Sequence, residues 1–214
     1  METKSIQVPT GWNDVKLEQF DKLLEISNDK DLTIVEREIK LIAVLTGLSY
    51  SEVANLDAPS FQAISNNLGF LNTKPQKIMP REEFELNGKK YHADLYPKNF
   101  LAGQFLDYKV IAGDDIDKKS ARMLACFIYP AGAKYNDGSY DVEDVVNDIN
   151  SYMSVSEVTG FTDFFMLQYK AYSVSLLEYS KRTIKKSKEI SEQEKNEILK
   201  KLEQGKALIN SFGI

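Results

Sequence analysis

One short stretch of this chain, residues 84–92, constrains the fold more than any other. It places Asn87 and Gly88 between two runs that alternate apolar and polar residues. Asn-Gly in such a setting is the strongest short-range signal for a β-hairpin with a two-residue turn. The implied register sets Phe84 opposite Tyr91 on an apolar face. Because two strands alone are marginally stable, we expect this face to pack on a helix or on a neighbouring chain.

The sequence on both sides of the hairpin is typical of α-helices. Apolar residues recur at helical spacing, and capping boxes such as Ser49 with Glu52 and Ser191 with Glu194 mark helix starts. The predicted fold is therefore mainly α, a multi-helix domain with one inserted β-hairpin (α+β) and a C-terminal helical hairpin.

Breaks in the pattern divide the chain into regions. Pro75 and Pro80 flank a lysine-bearing link, and a second break falls near residue 190. The predicted regions are an N-terminal helical region at 1–74, the β-hairpin at 75–98, a main helical region at 99–190 and a C-terminal helix at 191–214. The second break allows that last helix to extend from the rest.

The main helical region is expected to contain four helices. Acids at 114–117 favour a helix start, since they meet the positive end of the helix dipole, and Pro130 favours a stop. The fourth helix is rich in aromatic residues, which indicates either a central core helix or part of an interface. The predicted ranges are 100–111, 114–129, 141–153 and 156–184.

Side chains that perform chemistry near neutral pH are scarce in this chain. Among its 214 residues there is one histidine, His92, and one cysteine, Cys126. A catalytic triad would have to use His92, and a zinc site needs more cysteine or histidine ligands than the chain can supply. Cys126 lies in an apolar run that predicts a buried, inert thiol. We therefore predict no enzymatic activity, no cofactor and no metal site.

Two acidic segments are candidate cation sites. Asp114, Asp115 and Asp117 have the oxygen ligands that Mg²⁺ or Ca²⁺ prefers, but acids that meet the positive end of a helix dipole are the favoured explanation. The loop at 137–143 lacks the glycine and the glutamate of an EF-hand, so a surface turn with a helix cap is favoured.

The overall charge gives no general attraction to nucleic acid. The net charge is −5, and the one basic run is followed by acids that cancel its field. A solvated face is favoured for this run, and the alternative is a docking face at residues 181–188 for an acidic partner or for direct contact with packaged DNA. The run consists of Lys181, Arg182, Lys185, Lys186 and Lys188.

The sequence predicts no contact with a membrane. The longest apolar runs, 41–45 and 123–129, are far shorter than the roughly 20 residues that cross a bilayer. The first residues lack the apolar core of a signal peptide, so synthesis in the cytoplasm is expected.

Four stretches together resemble a known class of protein. They are residues 12–20 (WNDVKLEQF), 39–52 (IKLIAVLTGLSYSE), 86–91 (LNGKKY) and 102–105 (AGQF). In this order they are similar to small tail-region or tail-assembly proteins of tailed bacteriophages, particularly crAss-like phages of Bacteroides. The resemblance covers about residues 8–130, and its motifs carry no functional residues over to this chain.

The resemblance implies a place in a phage particle or in its assembly. One expectation is a virion structural protein in the tail or neck, a ring subunit below the portal that contacts its own copies and other tail or portal proteins. The others are a tail assembly chaperone and a cytosolic protein-interaction adaptor. The predicted interaction residues are Trp12, Phe84, Tyr91, Phe164, Phe165, Lys185 and Lys186.

Overall fold

The computed structural model describes residues 6–96, 99–187 and 190–211, apart from the side chains of residues 169, 172, 205 and 208–211. This part of the chain is mainly helical with one small antiparallel sheet, which confirms the predicted mainly α fold of α+β type. The helices are α1 (Leu17–Asn28), α2 (Ile34–Thr46), α3 (Tyr50–Ala54), α4 (Ala58–Asn67), a 3-10 helix (Leu68–Asn72), α5 (Ala102–Gly113), α6 (Lys119–Ala125), α7 (Val142–Tyr152), α8 (Val155–Lys186) and α9 (Glu192–Ser211). The strands are β1 (Glu83–Leu86), β2 (Lys89–Ala93) and β3 (Ile128–Pro130).

Helix ends follow the capping signals in the sequence. The Ser49 hydroxyl accepts the Glu52 amide at 3.2 Å, and the Glu52 carboxylate accepts the Ser49 amide at 2.7 Å. Ser191 and Glu194 form the same pair at the start of α9. Gly47 ends α2 in the left-handed conformation, with φ at 71°, where an L side chain is disfavoured.

Among the described residues, the core has two clusters of buried side chains. One lies among α1–α4 and the 3-10 helix, with Ile42 and Val53 fully buried. The other lies between the sheet, α6, α7 and the first turns of α8. Segments 15–17 and 153–155 run through both clusters and are held together by two backbone hydrogen bonds. The Val155 amide donates to the Val15 carbonyl at 2.8 Å in the first cluster, and the Leu17 amide donates to the Met153 carbonyl at 3.1 Å in the second.

The predicted helix at 114–129 is wrong at both ends. Lys118 has a left-handed backbone (φ 52°), so α6 begins only at Lys119 and the acids at 114–117 precede it. Beyond Ala125 the chain forms β3, in which Tyr129 pairs with His92. A short apolar run fits a buried strand as well as a helix. Here the strand prevails because it completes the sheet that the hairpin alone could not stabilise.

An extended segment crosses the first turns of α8. We call residues 73–82 the strap. The Ile78 amide donates to the Ser156 carbonyl at 3.1 Å, and Lys77 forms an ion pair with Asp163. The strap occupies the link around Pro75 and Pro80 and leads from the N-terminal helices into the hairpin.

The long helix α8 has two different environments. Its first turns lie in the core as far as Phe165, whereas Lys181 is the only buried side chain among those described at 166–186. The second half of α8 pairs with α9 instead. With 32 residues α8 is about 48 Å long, so the predicted C-terminal helical hairpin extends well beyond Phe165.

Candidate interaction surface

Trp12 packs against other residues of its own chain. Its ring meets Phe20 and Phe70 edge-on, with ring centroids 5.7 and 5.3 Å away. Its Nε1 donates to the Thr73 carbonyl at 2.9 Å. Trp12 therefore fixes the first residue of the strap to the N-terminal helices.

The hairpin has the predicted register, with Phe84 opposite Tyr91 and Glu83 opposite His92. Its apolar face packs on α8 of the same chain, where the ring centroid of Phe84 is 5.5 Å from that of Phe161. Tyr91 is only 1% exposed. The sequence predicted that this face packs on a helix or on a neighbouring chain, and in the structure it packs on a helix of the same chain. Tyr91 offers no surface to a partner.

A buried carboxylate joins the hairpin to α7. Asp148 accepts hydrogen bonds from Tyr91 Oη at 2.5 Å, Lys89 Nζ at 2.8 Å and Asn87 Nδ2 at 3.2 Å. Burial raises the pKa of a carboxyl, but the bonds from Lys89, Tyr91 and Asn87 outweigh it and hold the pKa of Asp148 below its ordinary value. Burial and the bond to Asp148 raise the pKa of Tyr91.

The aromatic residues at the start of α8 belong mainly to the core. Phe165 is buried, with its ring centroid 4.6 Å from Phe127 and 6.0 Å from Phe161. Phe164 is partly buried and meets Phe165 edge-on at 6.2 Å. For this segment the choice that the sequence left open, core or interface, is decided in favour of the core.

The basic run is divided by the structure. Lys181 is buried against α9, with Nζ 2.6 Å from Glu203 and 3.4 Å from Glu178, and the bond to Glu203 raises the pKa of Lys181 despite desolvation. Lys181 is therefore not free to contact DNA. Lys185 and Lys186 are exposed on the last turn of α8, and Lys188 lies outside the described residues.

The outer face of α5 exposes apolar side chains that the sequence analysis did not single out. Leu106 and Val110 are each 62% exposed, whereas the inner face buries Gln104 and partly buries Tyr108 and Ile111. A helix with apolar residues on all sides is normally buried on all sides. The signal available in the sequence was that Leu106 and Val110 are four residues apart, on one side of the predicted helix at 100–111.

A pocket of about 230 Å³ adjoins this face, between α5, α6, α7 and the loop at 131–139. We call it the α5 pocket. Its lining is Asp107, Val110, Ile111, Arg122, Ala125, Cys126, Tyr135, Asn136, Val142 and Val146. Tyr135 donates to Asp107 at 2.5 Å, and Arg122 pairs with Glu143. Its walls are thus largely apolar, and its one arginine is already paired.

In the described part of the chain, the surroundings of the cysteine and the histidine do not favour reactivity. Burial, with a smaller effect of Asp107, raises the pKa of the Cys126 thiol to about 12. His92 lies on β2 with Nε2 3.6 Å from Asp94. Among the described residues, no three histidine, cysteine or acidic side chains are grouped as a metal ion would require.

Comparisons with family models, curated proteins and solved structures found no match to this chain. The likeness to phage tail-region proteins therefore rests on the sequence motifs. Of the helices formed by described residues, none has the length and apolar character needed to cross a membrane.

Proposed function

We propose that this chain is a non-enzymatic structural protein of a tailed bacteriophage virion, one subunit of a ring in the tail or neck below the portal. The observation that carries the proposal is the outer face of α5. Leu106 and Val110 stand in solvent on a helix whose composition is that of a buried helix. Contact with another subunit gives this face the burial that its composition predicts.

The shape of the chain supports assembly over catalysis. The chain covers its own core, because the hairpin and the strap both pack on α8. Exposed apolar side chains remain on several elements, among them Ile34 on α2, Val110 on α5 and Tyr179 on the second half of α8. Peripheral apolar patches on a closed core are typical of subunits that bind their neighbours.

The phage assignment draws on the four sequence motifs at 12–20, 39–52, 86–91 and 102–105. In the structure they supply parts of α1, α2, the hairpin turn and the start of α5. They are elements of the fold and not of a reactive centre, which agrees with a structural role.

Native mass spectrometry of the untagged protein over a range of concentrations tests the ring. We expect a closed oligomer with one dominant copy number, because head-to-tail contacts that close produce a single size. A protein that stays monomeric at every concentration and binds a co-expressed tail protein would instead identify the assembly chaperone. A broad ladder of sizes would contradict a closed ring.

A further inference from the structure

We propose that neighbouring copies contact head to tail, with α8 of one copy seated in the α5 pocket of the next. This inference rests on the proposed function, because it takes the partner to be a second copy of this chain. The inserted surface is centred on Tyr179, which is 70% exposed.

The inserted surface is one face of α8. Leu176, Tyr179, Arg182 and Lys186 follow one another at spacings of three and four residues, so they share a side of the helix. All four are exposed. We call them the Tyr179 face. Lys181, by contrast, points to α9, so the pairing of the two helices leaves the Tyr179 face open.

The receiving surface is the α5 pocket with its acidic surroundings. Asp107 is exposed and lines the pocket, and Asp141 is exposed next in sequence to the pocket-lining Val142. Asp114 and Asp115 are exposed just past the end of α5. The arginine in the lining is neutralised, since Arg122 is held by both carboxylate oxygens of Glu143, at 2.5 and 2.9 Å. The pocket therefore combines an apolar interior with a negative rim.

The two surfaces complement each other in charge and in apolar character. A tyrosine flanked by cations fits an apolar pocket flanked by acids. Tyrosine and arginine are also the side chains that most often dominate the free energy of binding at interfaces. Opposite charges around the pocket would orient the approaching copy and speed association.

One chain cannot make this contact with itself. Tyr179 lies 14 positions beyond Phe165 on a continuous helix, about 21 Å further along its axis. Phe165 packs on Phe127, the residue next to the pocket-lining Cys126. The Tyr179 face is therefore carried away from the pocket of its own chain. Because the two surfaces differ, the contact is heterologous and generates a ring if the rotation closes.

A charge swap tests this contact. One variant carries Arg182→Glu and Lys186→Glu, and the other carries Asp114→Lys and Asp115→Lys. We expect each variant alone to assemble at least tenfold more weakly than the wild type, because like charges then meet at the contact. An equimolar mixture should assemble again into complexes with equal numbers of both variants, since every contact in an alternating ring regains opposite charges.

A matched control is Lys200→Glu with Lys201→Glu, two exposed lysines on α9 outside the proposed contact. It should assemble like the wild type. If the wild type forms a closed oligomer while the swapped variants assemble unchanged, or stay apart when mixed, the proposed contact is wrong and the ring itself stands. If the wild type never assembles, the proposed function fails first.

Cross-linking decides the contact even when it is weak. In a Cys126→Ser background, Leu176→Cys protein is mixed with Val110→Cys protein under mild oxidation. A disulfide-linked pair is expected, whereas Lys200→Cys in place of Leu176→Cys should give none. If Leu176→Cys and Lys200→Cys cross-link to Val110→Cys equally, or if neither cross-links, the proposal is wrong.

Discussion

Gly160→Ala is expected to destabilise the protein by about 2 kcal/mol, even though alanine is the better helix former. A Cβ on Gly160 would overlap the Ile78 carbonyl oxygen and lie 2.8 Å from the Ile78 carbonyl carbon. The strap cannot simply move away, since the Ile78 amide donates to the Ser156 carbonyl one turn earlier on α8. The lost contacts therefore outweigh the gain of about 1 kcal/mol in helix propensity.

Denaturant unfolding monitored by circular dichroism measures this change. Gly103→Ala in α5 is the matched control, because the closest atom to its Cβ outside the adjoining backbone would be Tyr135 Cε1 at an ordinary 3.9 Å. The control should be unchanged or up to about 1 kcal/mol more stable. If both variants gain stability alike, the close approach of the strap to α8 is wrong.

Asp148→Ala is expected to cost about 3 kcal/mol of unfolding free energy. The change removes the acceptor of three hydrogen bonds and leaves the hydroxyl of Tyr91, a fully buried residue, without a partner. The hairpin and α7 lose their polar connection at the same time. Asp144→Ala, an exposed acid on the first turn of the same helix, is the control and should cost less than about 1 kcal/mol.

A second substitution of Asp148, to asparagine, is expected to change the pH dependence of stability. The pKa of Asp148 is lower in the folded than in the unfolded chain, so its bonds stabilise the fold above the unfolded value of about 4. That stabilisation disappears as the pH falls through the folded-state pKa. Asp148→Asn should therefore flatten the loss of stability on acidification. An acid limb as steep as that of the wild type would show that the pKa of Asp148 is not lowered in the folded chain.

Local signals explain much of this fold. Turn chemistry at Asn87 and Gly88, capping boxes and the left-handed Gly47 act within a few residues, so the sequence states them directly. The strand β3 is different. Its three residues become a strand only because β2 lies beside them, and that partner is 35 or more positions earlier in the chain. Periodicity in a short apolar run carries no record of such a partner.

Side-chain roles were harder to predict than elements. Tyr91 and Phe165 have the size and polarity of interface residues, and only their burial shows that they complete the core. From the sequence, Gly160 is expected only to weaken its helix. The structure shows that the strap passes too close to it for a side chain. From the sequence, Lys181 belongs to a basic face, but in the structure it forms an ion pair with Glu203 on α9. In each case the deciding neighbour is distant in sequence.

Quantitative mass spectrometry of purified phage particles tests the proposed role as a virion subunit most directly. The structural role predicts a fixed, stoichiometric copy number per particle, equal to that of the closed oligomer in solution or a whole multiple of it. Absence from finished particles, together with presence in assembly intermediates, would contradict the role of a virion subunit.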